Sequence, residues 1–427
     1  MPLLYSLYEL NRAAVTPLHT AAAVQSAFLR SPFNPIGQTP FGRAAAAAGE
    51  LVESVTRRYR KPDWMIPFTD MQGEQVPVRP KVVRSSNWCS LVHFERDADA
   101  VRRVTGGRPQ PRVLLVSPLS GHYATLLRGT VEGFLPDHEV YITDWTDARM
   151  VPIALGRFDL NDYIDQVRAC LTHIGGGGHV VAVCQPGPPV LAAVALMSED
   201  GDPALPATMT FMGSPIDARR SPTVPNKLAE QRPFEWFREH MVHAVPPLYP
   251  GAFRQVYPGF LQLASFLGMN LERHVSAHWD YFEHLTKNDG DSAGKHREFY
   301  DEYLSVMDLT EEFYLQTIRD VFQEYKIARG IFEHHGRRVK PELIRDVALM
   351  TVEGENDDIS GIGQTQAAHD LCAGIPETRR IDYIQPGVGH YGVFHGRRFR
   401  TEIYPRMRDF IAQYDRSSAG ARARHAA

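Results

Sequence analysis

The stretch from His179 to Met197 constrains this chain more than any other. His179-Val-Val-Ala-Val183 is a short, apolar, β-branched run, the pattern of a buried strand. Cys184-Gln-Pro-Gly-Pro-Pro189 then crowds Pro and Gly into a few residues, which marks a tight turn. Val190-Leu-Ala-Ala-Val-Ala-Leu-Met197 is apolar on every side and reads as a buried helix. A strand, a tight turn and a helix, with a reactive side chain on the turn, form the context in which a covalent hydrolase carries its nucleophile.

The neighbouring sequence alternates in the same way. Arg112–Ser117, Glu139–Trp145, His179–Val183 and Thr208–Gly213 read as strands, and Ala124–Phe134 and Asp162–Ile174 as helices. Such alternation implies parallel pairing with right-handed crossovers. It stops after Pro222. About 120 residues rich in aromatics follow with helical period, before strand patterning returns at Val347–Val352 and Arg380–Ile384. The expected fold is therefore the α/β-hydrolase fold, a mostly parallel central sheet with a helical cap insertion. The expected divisions are an N-terminal region over 1–105, helical at first and then a strand joining the core, and a first core part over 106–222. A cap over 223–345, a second core part over 346–415 and a disordered tail over 416–427 complete them.

Bulk properties narrow the function. Hydrophobic content of 43% and charged content of 22% suit a water-exposed globular protein. A formal net charge of -4 argues against a general nucleic-acid binder. No apolar run is long enough to span a bilayer. Met1–Arg12 lacks the basic start and apolar core of a secretory leader, so a cytoplasmic location is expected. Four scattered cysteines form no C-x-x-C pair, and no H-E-x-x-H is present, so no metal site is expected. His334-His335, beside Arg337 and Arg338, reads as a solvated loop. Gly175–Gly178 precedes a strand instead of following one, so it is a connection and not a phosphate cradle.

Three side chains fit one chemistry. A thiol at Cys184 becomes a strong nucleophile with a helix N-terminus below it and a proton acceptor beside it. His390, in the Gly-rich segment Gln385-Pro-Gly-Val-Gly-His-Tyr-Gly392 after the last expected strand, is the candidate acceptor. An acid to orient it lies in Glu353-Gly-Glu-Asn-Asp-Asp358, where Asp357 is preferred to Asp358 because Gly-x-x-Asp-x-Ile suits the acid-bearing loop. The Gln185 amide, next after the nucleophile, is the first expected oxyanion donor. The second is expected at Leu119 or Ser120, after the strand ending near Ser117.

The chain resembles the intracellular polyhydroxybutyrate depolymerases. The blocks that carry the likeness include Leu4-Tyr-Ser-Leu-Tyr-Glu-Leu10, Pro118-Leu-Ser-Gly-His122, Tyr141–Pro152, Val183-Cys-Gln-Pro186, Met212–Arg219, Phe299-Tyr-Asp-Glu-Tyr303 and Gly389-His-Tyr-Gly392. The resemblance implies a Cys184–Asp357–His390 triad acting on polymer esters. It also implies a water-insoluble granule as substrate and partner, met by apolar residues such as Trp236, Phe260 and Tyr391. No cofactor is required, although coenzyme A is a candidate acyl acceptor, and a homo-oligomer is compatible with the sequence. The elbow departs from G-x-S-x-G: Ala182, Cys184 and Pro186 stand at its three defining positions. The same thioester serves hydrolysis, acyl transfer or polymer synthesis, so the direction of reaction is open at this point.

Overall fold

The structure, a computed structural model, describes residues 3–269, 271–287 and 289–415. The tail over 416–427 lies outside them. A nine-stranded sheet runs through the molecule. Its strands are β1 (Phe68–Met71), β2 (Glu74–Ser85), β3 (Cys89–Arg96), β4 (Arg112–Val116), β5 (Glu139–Trp145), β6 (His179–Val183), β7 (Thr208–Met212), β8 (Ala348–Gly354) and β9 (Arg380–Gln385). They lie in the order β1-β2-β3-β5-β4-β6-β7-β8-β9. The first four in that order pair antiparallel. Every pair from β5 to β9 is parallel. This is the α/β-hydrolase arrangement, extended by one hairpin strand at the N-terminal edge.

Alternation along the strands sorts two cores. Leu114, Val116, Val180 and Ala182 face one cluster, under helices α3 (Leu160–Ile174) and α4 (Gly187–Asp200). Val113, Leu115, Val181 and Val183 face the other, packed by Val131, Phe399, Met407 and Phe410. Successive side chains of a strand point to opposite faces, so a strand covered on both sides must be apolar throughout. Helix α4 is buried from Gly187 to Met197, which explains why its sequence shows no polar stripe.

Residues 213–347 separate β7 from β8 and are largely helical. Three short strands, His243–Ala244, Gln255–Tyr257 and Leu309–Thr310, tie this insertion into a small sheet of its own that the sequence pattern did not reveal. At the N-terminus, α1 (Leu3–Arg30) and α2 (Pro40–Thr56) pack as a helical pair. Leu7, Leu10, Leu18, Val24 and Phe28 of α1 remain exposed. Its buried anchor is Tyr5, fully enclosed, whose hydroxyl donates to Asp308 Oδ2 at 2.6 Å.

Asp308 belongs to a buried polar hub. Its Oδ1 accepts from the Gly259 amide at 2.9 Å, and its own amide donates to Asp147 Oδ1 at 3.2 Å. Asp147 in turn holds Tyr123 Oη at 3.0 Å and Arg149 Nε at 2.8 Å. Burial, followed by the charge of Asp147, pushes the Asp308 carboxyl up to about 7 against the pull of Arg149. A carboxyl raised on folding stabilises fully below its unfolded value near 3.8 and loses that contribution as pH rises through about 7. Urea midpoints are thus expected to fall between those pH values, and Asp308→Asn is expected to flatten the slope. An unchanged slope in the variant would remove Asp308 as its source.

Candidate active site

The turn that carries Cys184 is strained in a specific way. Cys184 follows β6 directly and has φ +68°, the left-handed region that non-glycine residues rarely adopt. Its amide donates to Met212 O of β7 at 2.8 Å, and its carbonyl accepts from Gly187 N at 3.2 Å. These bonds hold the thiol on a sharp corner at the start of α4. Pro188 and Pro189 sit in the first turn of α4, where the missing N–H costs little. Gly187 is required at its position, because a Cβ there would lie 2.4 Å from Ser214 Cβ.

Two distant loops complete the group. Asp357 follows β8, and His390 follows β9. His390 Nδ1 lies 2.8 Å from Asp357 Oδ2, with the aspartate side chain fully shielded from solvent. An ionised carboxylate can only accept, so Nδ1 carries the proton in this pair. The other oxygen, Oδ1, accepts from the amides of Ile359 at 2.9 Å and Ser360 at 2.8 Å. Asp358 is exposed. Burial acts to lower the His390 pKa, but the charges of Asp357 and of the Cys184 sulfur, with hydrogen bonds to both, raise it well above 6.5. Asp357 thus orients the imidazole, and His390 and Cys184 face the same cavity.

Glu353, whose role the sequence did not reveal, shapes the acid-bearing loop. Its buried carboxylate accepts from the amides of Gly363, Thr365 and Gln366 at 2.7–3.1 Å. Gly213, with φ +55°, lies beneath the histidine–aspartate pair. A Cβ there would meet His390 Cε1 at 3.1 Å and Asp357 Oδ2 at 3.2 Å. Gly213→Ala is expected to displace this pair. A misplacement of about 1 Å costs about 10²-fold in kcat, so the smaller shift needed here is expected to lower kcat by less than that, checked by steady-state kinetics beside circular dichroism of the folded variant.

The expected oxyanion donors are arranged less simply. Gln185 is buried, and its side-chain Oε1 accepts the Leu119 amide at 3.2 Å. Leu119 is therefore already engaged, by the side chain of the other expected donor. Gln185 Nε2, also buried, has no hydrogen-bond partner. Ser120 lines the same cavity.

That cavity encloses about 570 Å³, within the roughly 300–1,000 Å³ of small-ligand sites. Cys184, Gln185, His390 and Tyr391 reach it. Most of the wall comes from the helical insertion, including Phe237, Tyr257, Phe266, Phe313, Tyr314 and Phe322. His122 also lines it as a neutral ring: burial pushes its pKa down to about 4, and Nε2 bonds Tyr303 O at 3.0 Å. Neither Trp236 nor Phe260 reaches the cavity. Trp236 stacks on His240 under Arg232, and Phe260 packs between Tyr5 and Tyr8 of α1. Helical period cannot say which aromatics of an insertion face a cavity and which face another helix.

The family model described as the PHB de-polymerase C-terminus matches residues 213–415, the stretch that carries the insertion wall, Asp357 and His390. That stretch is similar to the family. A poly(3-hydroxyalkanoate) polymerase subunit of Haloferax mediterranei is 24% identical over 176 residues, which is 41% of this chain and 34% of that protein. The chain thus matches about a third of that relative's length. Among solved structures, an esterase from Thermogutta terrifontis is 12% identical, with 80% of this chain and 100% of that chain covered and a TM-score of 0.40. A monoacylglycerol lipase from Paleococcus ferrophilus is 13% identical, with 72% and 97% covered and a TM-score of 0.39.

Proposed function

We propose that the protein is an intracellular poly(3-hydroxybutyrate) depolymerase that cleaves polymer esters through Cys184, His390 and Asp357. The observation that carries this reading is the placement of Cys184 and His390 on one apolar cavity, with Asp357 bonded to His390, in a chain whose residues 213–415 match the depolymerase family model. His390 takes the thiol proton and the sulfur attacks the ester carbonyl. The Gln185 backbone amide and a donor from the 117–122 loop hold the oxyanion, each worth about 3–4 kcal/mol in comparable sites. For Leu119 to serve, the Gln185 side chain must release its amide. Collapse expels the alkoxide, which His390 protonates. Water activated by His390 then cleaves the thioester and frees 3-hydroxybutyrate or a short oligomer. Tyr391, at the cavity, contacts the acyl chain. The partner is the polymer granule.

A second reading is acyl transfer, favoured by the named polymerase relative, in which coenzyme A replaces water. One experiment separates the two. Native amorphous granules are incubated with the protein, with and without coenzyme A, and products are identified by mass. Free acid or oligomers without coenzyme A support the depolymerase. A coenzyme A ester formed only on adding the thiol moves the assignment to transfer. Turnover of soluble short-chain esters without granule turnover would overturn both.

A further inference from the structure

We infer that Asp165, His334 and His335 form a binding site for a zinc-like divalent cation, remote from the thiol cavity. Asp165 lies on α3, and the two histidines end a small hairpin, Glu333–His334 paired with Arg337–Arg338. Neighbouring residues of an extended strand point to opposite faces. Here His335 has φ +48°, and the two imidazoles meet on one side with ring centroids 4.3 Å apart. His334 Nε2 lies 3.0 Å from Asp165 Oδ1, and His335 Nε2 lies 2.9 Å from Oδ2. One ligand atom from each residue falls within 4.8 Å of the other two. Tetrahedral zinc with bonds near 2.0–2.1 Å sets its ligand atoms about 3.3 Å apart, so small rotations would admit an ion.

A second observation points the same way. The sequence pattern made this pair a solvated loop, yet His334 is 6% exposed and its Nε2 has no hydrogen-bond partner. It lies close to a carboxylate oxygen without the alignment of a hydrogen bond. A buried polar atom left so is costly unless something else binds it. The nearby cations do not compete for Asp165. Arg168 pairs with Asp200 at 2.7 Å, Arg337 with Asp200 at 2.6 Å and Glu199 at 2.7 Å, and Lys340 with Glu199 at 2.8 Å. Two imidazoles and one carboxylate suit zinc, nickel or copper, and not magnesium or calcium. The ion would clamp the hairpin, just before β8, to α3.

The test is equilibrium dialysis of the full chain against zinc chloride, with metal counted by mass spectrometry, in parallel with thermal unfolding. Cys184→Ala serves as the background, because a free thiol also binds zinc. One equivalent retained in that background, with a higher Tm on adding zinc, is expected. Both effects should vanish in His335→Ala, whose side chain is exposed, and in Asp165→Asn, while far-ultraviolet circular dichroism stays unchanged. Less than one equivalent in the Cys184→Ala background, or binding unaltered in His335→Ala, would overturn the site. Neither readout depends on ester hydrolysis.

Discussion

Cys184→Ala is expected to lower kcat on granules by about 10⁴–10⁶-fold, the range seen when a nucleophile is removed from such a group. Without the sulfur no acyl-enzyme can form, and His390 is left to activate water against an ester that is not held covalently. Granule binding should persist, because the cavity walls and the outer surface are unchanged. The elbow adds a stability signature. Alanine at φ +68° keeps the strain of a left-handed residue, whereas glycine does not. Cys184→Gly should therefore be more stable than Cys184→Ala by about 1 kcal/mol in urea unfolding, although both are inactive. Full activity in Cys184→Ala would sink the thioester scheme.

Asp357→Asn is expected to cost about 10⁴-fold in kcat, as when an amide replaces the acid of such a triad. An asparagine amide facing Nδ1 favours the tautomer whose Nε2–H points at sulfur and cannot accept its proton. Asp358→Asn should be nearly silent. The pH response follows from the raised His390 pKa. A histidine raised on folding stabilises fully below 6.5 and loses that contribution as pH climbs through its folded value. The stability gap between wild type and Asp357→Asn should therefore be widest in mild acid and close towards alkaline pH. The alkaline limb of kcat/KM, set by loss of the imidazolium proton, should move to lower pH in the variant. A silent Asp357→Asn beside an inactive Asp358→Asn would transfer the acid's role to Asp358.

The fold was legible because its parallel strands are buried on both faces and show as unbroken apolar runs, with Val180–Val183 the clearest. The chain order of Cys184, an acid and His390 was legible too, since each follows such a strand. The Gly-x-x-Asp-x-Ile spacing favoured Asp357 over Asp358 without deciding between them. Only the structure shows one carboxylate facing His390 while its neighbour is exposed. Other features lie beyond any local pattern. The capture of the Leu119 amide by Gln185 joins residues 66 apart. Gly213 looks like an ordinary glycine until its missing Cβ is seen to make room for His390. Phe260 and Phe266 share one helix, yet only Phe266 reaches the cavity. Edge strand β9, with its mixed burial, is patterned more weakly than the central strands.

The bond from Tyr5 to Asp308 spans 303 positions of sequence. On a ribosome adding roughly 5–20 residues per second, α1 waits about 15–60 s for the carboxylate that anchors it. Throughout that interval Tyr5 lacks its burial partner and adds to the apolar side chains that α1 keeps exposed even when folded. Helix α1 thus reaches its final seat on Asp308 late. Newly made chains should engage holding chaperones through this segment, and slower translation should lengthen that engagement.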